Sequence, residues 1–478
     1  MTNGRRIAYN MPGMELRKAV LAQSELCTRL RRELHQIPEL SCAEFQTQRY
    51  ICAFLEARKI LYRKIRTGVV AEIPGKNTSV TVGFRADTDA LPIEEKTDVP
   101  YRSVNGNMHA CGHDGHTAIL LTFCDILSKK PPPVSVRAIF QFGEEGALGA
   151  ESMIEEGALS GVSEIYALHL DPALALGEFA VAEGAMMAGA VEFRVQFFGK
   201  ESHCAEPEKG IDALKPLGAL LGVNGEWRMV DGEEEPGSKT NNAGEGSGEG
   251  ASQITNADKD CAVGREPGSA AVHPPHVASG DGAKPPPYAA ESPSSSIHDS
   301  RFTIHSPTPH SSLLTPNSPP SSAPSHPPPI KPLFHVGKIT GGSARNVVAG
   351  AAEALCTLRY FEGHGAEMAR IAEFLCRTDA EFGTAHRLIV DAVCPPLHNA
   401  PVPVGRVKAA APEIRLAAPR YTAEDFACYT ALIPGCLTWL GIQDENFASP
   451  LHSDTFGFSE SALLCGVELF MRIAEQFY

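Results

Sequence analysis

Three apolar runs in the amino-terminal part of the chain each lead to ionisable residues, with helical patterns between them. SVTVGFRAD (Ser79 to Asp87) brings up Asp87 and Asp89, VSVRAIFQFGEEG (Val134 to Gly146) ends on Glu144 and Glu145, and EIYALHLDP (Glu164 to Pro172) carries His169. The segments GHTAILLTFCDILSKK and ALGAESMIEEGAL between them read as helices. This β-α-β-α-β order predicts an α/β fold with a partly parallel sheet. Open α/β sheets hold ligands just beyond the carboxyl ends of their strands, so the three strand ends predict one site. Upstream, ELRKAVLAQSELCTRLRRELHQIPEL predicts a helix stopping before Pro38. Ser41 with Glu44 predicts a capping box opening a second helix through Arg58.

Further along, the pattern changes. AGAVEFRVQFFGK has strand periodicity and is followed by a helix beginning GIDAL. PLFHVGKITGG, AAEALCTLRYF, the helix GAEMARIAEFLCRTDAEFG and HRLIVDAV come later. Together they give β-α-β-β-α-β, the order of a ferredoxin-like α+β domain. Between its halves, from Val230 to Pro332, the composition shifts to Gly, Ser, Pro, Glu and His. Such a segment buries too little apolar area to offset its ordering entropy and reads as a disordered insertion. It is either a genuine linker-like loop or non-coding sequence read through. The chain therefore divides into a catalytic domain, residues 1–187 and 397–478, split by a lid domain, residues 188–396, itself interrupted at 230–332.

The formal net charge of -15 argues against general nucleic-acid or membrane-surface binding, both of which need basic faces. Thirteen cysteines, odd in number and without a CxxC pair, suit a reducing compartment. The amino terminus lacks the apolar core of a signal peptide, and no apolar run approaches a membrane span. A soluble cytoplasmic protein is expected, with neither nucleic acid nor membrane as partner.

The stretch HACGHDGHTA adds Cys111 and His113 to the strand-end residues, and PLHSDTF adds His452. Each has a bland reading when taken alone. Cys111 reads as a small buried hydrophobe, the Glu144–Glu145 pair as a solvated turn, His169 as a satisfied core histidine and His452 as loop. Taken together, a thiolate, imidazoles and a carboxylate suit Zn²⁺, with Mn²⁺ or Co²⁺ as alternatives. Five donors exceed what one catalytic ion uses and fit a dinuclear site, with one glutamate of the pair on metal and the other free as general base. His35, His109 and His116 read as structural. The histidines inside the insertion read as part of its disorder.

FRADTDALP, HACGHDGHTA, FQFGEEG, ALHLDP, GKESHCAEP, ITGGSARNVV, CTLRYF, TAEDF and PLHSDTF occur in this order along nearly the whole chain outside the insertion. In this the chain resembles the metal-dependent amidohydrolases of the aminoacylase group: hippurate, N-acyl-amino-acid and indoleacetyl-amino-acid hydrolases. The resemblance implies a zinc-peptidase-like catalytic domain, its mixed sheet flanked by helices, and the inserted lid. It implies two divalent ions, Zn²⁺ or Mn²⁺, on Cys111, His113, Glu145, His169 and His452, with His113 as the bridge, and Glu144 as general base. Asp87, Asp89 and Asp114 would orient ligand imidazoles. His203 would reach the active site of a neighbouring subunit in a homodimer formed through the lid and stabilise the oxyanion. Asn346 and Arg359 would hold the substrate carboxylate. The expected reaction is hydrolysis of N-acyl amino acids. A dipeptidase, or a non-catalytic homologue spoiled by the insertion, are the alternatives. The chain departs from the family where the lid helix dissolves after Trp227, where Ala349 replaces a usual proline, and where Asn399 to Ala423 is short.

Overall fold

The computed structural model describes residues 14–146, 149–222 and 330–477. In chain order the elements begin with α1 (Met14–Leu21), α2 (Ser24–His35), α3 (Phe45–Ala57), β1 (Leu61–Ile65), β2 (Gly68–Ile73), β3 (Asn77–Asp87), α4 (His113–Lys129), β4 (Val134–Gln141), α5 (Gly149–Glu155), β5 (Val162–Ala175), β6 (Phe179–Val181) and β7 (Gly184–Met187). There follow β8 (Gly189–Phe198), β9 (Ser202–His203), α6 (Leu214–Gly222), β10 (Leu333–Gly341), β11 (Val347–Val348), β12 (Ala351–Tyr360), α7 (Gly365–Phe382) and β13 (Ala385–Cys394). The chain ends with β14 (Leu397–Asn399), α8 (Pro401–Ala410), β15 (Arg415–Leu416), α9 (Phe426–Thr430), β16 (Gly435–Gln443) and α10 (Leu463–Ala474). All the described residues belong to one unit, Met1–Val230 with Pro328–Tyr478. The expected disorder lies outside the described residues for nearly all its length.

The large sheet is mixed, with order β1-β2-β4-β3-β5-β16-β6-β15. At its centre β4, β3, β5 and β16 run parallel, as their near-continuous apolar sequences require of strands covered on both faces. α4 is buried from His113 to Leu127, between the sheet and helices α2 and α10. Its Leu120, Leu121 and Phe123 are fully enclosed, and each such side chain contributes about 1.5–3 kcal/mol. The centre of the sheet is thus a rigid base for whatever its strand ends carry.

The second sheet has order β10-β12-β8-β13 and is antiparallel throughout. With α6 after β8 and α7 after β12, it has the ferredoxin-like connectivity expected from the sequence. Leu217 and Leu220 of α6 and Ile371 and Leu375 of α7 share one core with Phe193, Phe197 and Phe334 from the strands.

Three local expectations change. The first helix breaks at Ala22–Gln23, so that α1 packs on α10 while α2 lies on α4. No Ser41–Glu44 capping box forms. The Glu39 carboxylate instead accepts the N–H groups of Gln46 and Thr47 at 2.7 and 2.9 Å. Ser41 and Glu44 turn inward, to Asp89 and to the Gly143 N–H, because buried acceptors and donors there need partners. The short stretch after Asn399 still accommodates a ten-residue helix, α8, entered through Pro401.

Candidate metal centre and cleft

A glycine turn sets the first two donors side by side. Gly112 has φ +85°, and a Cβ there would lie 3.0 Å from the Leu170 side chain, so the turn needs glycine. Cys111 precedes it and His113 opens α4. His169 comes across from β5, its Nε2 3.5 Å from the Cys111 Sγ. The donor atoms of Cys111, His113 and His169 all lie within 4.8 Å of one another. Glu144 and Glu145 follow β4, each with a carboxylate oxygen 4.0 Å from His113 Nε2. His452 closes the group from the far end of the chain, held at φ +63° with its backbone N–H on the Ala110 carbonyl at 2.8 Å. A non-glycine residue in that region stores strain, and here its Nε2 ends 3.3 Å from Glu145 Oε1.

Hydrogen bonding at the histidines separates candidate ligands from supports. His113 Nδ1 faces the Asp89 carbonyl at 3.0 Å and Asp89 Oδ1 at 3.2 Å, so the proton sits on Nδ1 and Nε2 points at the cluster. That Nε2 is buried with no hydrogen-bond partner among the described residues. His169 donates Nδ1–H to the Leu170 carbonyl at 2.8 Å, which likewise turns Nε2 inward. His116 differs. Its Nδ1 bonds Asp87 at 2.6 Å and its Nε2 accepts the Leu170 N–H at 3.0 Å, which leaves nothing for a ligand.

The electrostatics differ from group to group. Burial opposes a charge on His113, yet Asp87, 3.8 Å away, and Cys111 hold it well above its ordinary pKa. Burial pushes the Cys111 thiol up to about 12 and, with His116, holds His169 well below the usual range, in the neutral form that binds metal. Glu144 is raised well above an ordinary carboxyl by burial and by Glu424, Asp425 and Glu145. The donor types and the unpaired buried Nε2 fit divalent ions.

The other predicted site residues divide. Asp89 supports His113 and, through Oδ2, accepts the Glu145 N–H at 2.9 Å and the Ser41 hydroxyl at 2.6 Å. Asp87 bonds His116 and the Arg85 guanidinium. Asp114 points away from the donors, into a buried ion cluster with Arg31 at 2.9 Å and His35 at 2.8 Å, because α4 turns it toward α2. Arg359 lines a cleft of about 500 Å³ over the donors, with Nη2 3.4 Å from Glu192. His203 and Asn346 are exposed on the β9–β11 ribbon side of the lid and do not line that cleft.

A family model described as peptidase family M20/M25/M40 matches residues 83–476. The chain belongs to that family. Within curated proteins it is similar to the N-acetylcysteine deacetylase of Bacillus subtilis, 40% identical over 198 residues, which are 40% of this chain and 52% of that protein. It is similar to the same extent, 40% over 198 residues and the same shares, to the N-acetyldiaminopimelate deacetylase of Anoxybacillus flavithermus. The chain thus spans about half the length of the curated relatives it matches. Among solved structures it superposes on the Bacillus subtilis YXEP protein, described as a dinuclear metal binding peptidase, with a TM-score of 0.65 at 24% identity, covering 95% of this chain and 98% of that one. Aminopeptidase PepT of Bacillus cereus gives 0.60 at 16% identity, over 95% and 98%. At such identities these structures show the shared fold.

This family member also brings to the cleft residues given no role from sequence: Glu192, Arg420, Glu424, Asp425 and Trp439. Trp439 pairs in register with His169 across β16 and β5, and its ring lies 5.4 Å from the imidazole. Arg420 stacks over that indole at 4.4 Å and bonds Asp171. TAEDF was a visible signal for Glu424 and Asp425. Nothing in the sequence tied it to β3 or β4.

Proposed function

We propose that the chain hydrolyses the amide bond of N-acyl amino acids, releasing a carboxylic acid and an amino acid, with two divalent metal ions. The observation that carries this reading is the buried, unpartnered Nε2 of His113 among four further donors at the floor of one cleft. The named activities of the deacetylase relatives give the substrate class. Cys111, His113, Glu145, His169 and His452 would hold Zn²⁺ or Mn²⁺, which when bound polarises an acyl carbonyl and acidifies water.

The chain's own residues supply the rest. Glu144, its carboxyl raised above the ordinary range by burial and by neighbouring Glu424, Asp425 and Glu145, takes the proton of the attacking water and returns it to the departing amine. Asp89 fixes the His113 ring, and the backbone bond from Glu145 to Asp89 fixes the glutamate pair relative to it. Arg359, at the cleft wall, meets the substrate carboxylate with its planar fork, exchanging the weak contact with Glu192 for a closer one. Asn346, exposed on the lid and outside this cleft, would reach a substrate carboxylate only across the subunit boundary of a homodimer. His203, exposed on the lid, serves the cleft of a second copy in a homodimer. The domain division at 187/188 and 396/397 and a cytoplasmic setting complete the reading.

The test is metal analysis of the purified full chain followed by hydrolysis of N-acetyl, N-benzoyl and indoleacetyl amino acids beside a set of dipeptides. Two ions per chain with turnover of the acyl amino acids are expected. Preference for dipeptides would favour an exopeptidase. A protein that binds acyl amino acids without metal or turnover would overturn the enzyme reading.

A further inference from the structure

Arg85 of FRADTDALP and the Glu424–Asp425 pair of TAEDF hold neither metal nor substrate in the reading above, yet they meet directly behind the general base. The Arg85 side chain is fully buried and all three of its nitrogens are engaged. Nε donates to Gln141 Oε1 at 2.9 Å, and Nη1 donates to Asp87 Oδ2 at 2.7 Å. Nη2 reaches Asp425 Oδ1 at 2.9 Å and Glu424 Oε1 at 3.0 Å. Only a guanidinium offers this many donors in one plane, and lysine could not replace it.

Asp425 makes the connection that matters. Besides Arg85, its carboxylate accepts the Gln141 amide Nε2 at 2.8 and 2.7 Å and the Ala150 backbone N–H at 3.0 Å. Gln141 is the last residue of β4, and Ala150 lies in the first turn of α5. Between them runs the segment that carries Glu144 and Glu145. Its neck is closed, since the Gly149 N–H donates to the Gly143 carbonyl at 3.2 Å. A Cβ at Gly149 would lie 1.6 Å from the Phe142 carbonyl oxygen. One carboxylate from a remote part of the chain therefore grips both sides of the neck. Glu424 stands beside it, with a carboxylate oxygen within 4.8 Å of those of Glu144 and Asp425.

We propose that Asp425, with Arg85 and Glu424, is a positioning unit for Glu144: by gripping Gln141 and Ala150, on either side of the glutamate in the chain, it fixes where the base stands over the cleft floor. The clamp rests on the assignment of Glu144 as general base. A carboxylate on a short loop explores positions an ångström apart, and a misplacement of that size costs about 100-fold in rate. A guanidinium flanked by Asp87, Glu424 and Asp425 also offsets the mutual repulsion of the carboxylates crowded there.

Asp425→Asn, made in the metal-loaded full chain and assayed with its best substrate from the panel above, tests this. The expected kcat is about 100-fold lower with KM within about threefold of wild type. Two metal ions per chain should remain, and amide exchange should accelerate in peptides covering 141–150 and not elsewhere. Asp425→Glu, which keeps the charge, should recover part of kcat. Should Asp425→Asn fail to fold, Glu424→Gln replaces it, with an expected loss of about tenfold in kcat. Wild-type kcat in either variant overturns the clamp, as does a loss accompanied by metal release or chain-wide exchange, the marks of a merely structural role. An inactive wild type would remove the functional reading instead, and local exchange in Asp425→Asn would then decide the clamp alone.

Discussion

The two walls of the cleft are built to different standards. On the catalytic side Cys111, His113 and His169 are buried, and each imidazole is fixed through its second nitrogen to a backbone or carboxylate oxygen. On the lid side, among the described residues, Arg359 has a single ion-pair contact, 3.4 Å from Glu192, while His203 and Asn346 are exposed. The first wall is fixed by buried hydrogen bonds, whereas the second leaves its side chains weakly held. Under the proposed function, such a division would place transition-state interactions on the rigid side and uniform substrate binding on the adjustable one.

The largest effect that could break this contrast is expected at Glu144. Glu144→Ala should lower kcat by about 10²–10⁴-fold with both metal ions retained, as metal analysis and steady-state kinetics would show. If activity persisted, the base would have to be sought elsewhere on the rigid wall. Arg359→Ala should act differently, raising KM by about 10- to 100-fold with kcat nearly unchanged, since it removes a binding contact. An equal fall in kcat would mean that the lid takes part in the chemical step and that the two walls are not distinct.

The smallest effect concerns stability on the catalytic side. His35 lies between Asp114 and Glu95, at 2.8 and 3.1 Å. Burial and Arg31 oppose it, but these carboxylates raise the His35 pKa above 6.5; burial likewise opposes the fall of Glu95 below 4.5, which the His35 hydrogen bond achieves. A raised histidine stabilises the fold below its unfolded pKa and ceases to do so as pH rises through the folded value. A lowered carboxylate stabilises above its unfolded pKa and ceases as pH falls through the folded one. Chemical denaturation should therefore show a stability maximum between about pH 4.5 and 6.5 from this cluster, declining on both sides. Glu95→Gln should flatten it at a cost of about 1–2 kcal/mol. The lid's ion pairs, such as Arg194–Asp391, are exposed and should add no comparable pH dependence.

Much of this architecture was legible beforehand. The β-α-β order, the ferredoxin-like connectivity and the grouping of strand-end residues follow from periodicity, which reports which faces are buried. The candidate donors follow from residue types at those strand ends and in the HACGHDGHTA and PLHSDTF stretches. The orientation of individual side chains was less legible. Ser41 and Glu44 have the spacing of a capping box but satisfy buried groups near the site, a preference that a local pattern cannot register. Asp114, next to His113, points into a different cluster because one step along a helix turns a side chain by about 100°. β16 passed unassigned, since a fully buried strand has no alternation to betray it.

By itself the sequence determined the types of donor, the strand ends and the helix start that carry most of them, and the order of elements, because these depend on local patterning and on side-chain chemistry. Only the tertiary structure decided which histidine of α4 keeps a free nitrogen and which is saturated, since that depends on whether the Leu170 N–H of β5 reaches it. It alone also joined Arg85, Gln141 and Asp425, as much as 340 residues apart, behind Glu144. Such contacts arise because buried charges must find partners wherever the packed sheet brings them, irrespective of distance along the chain.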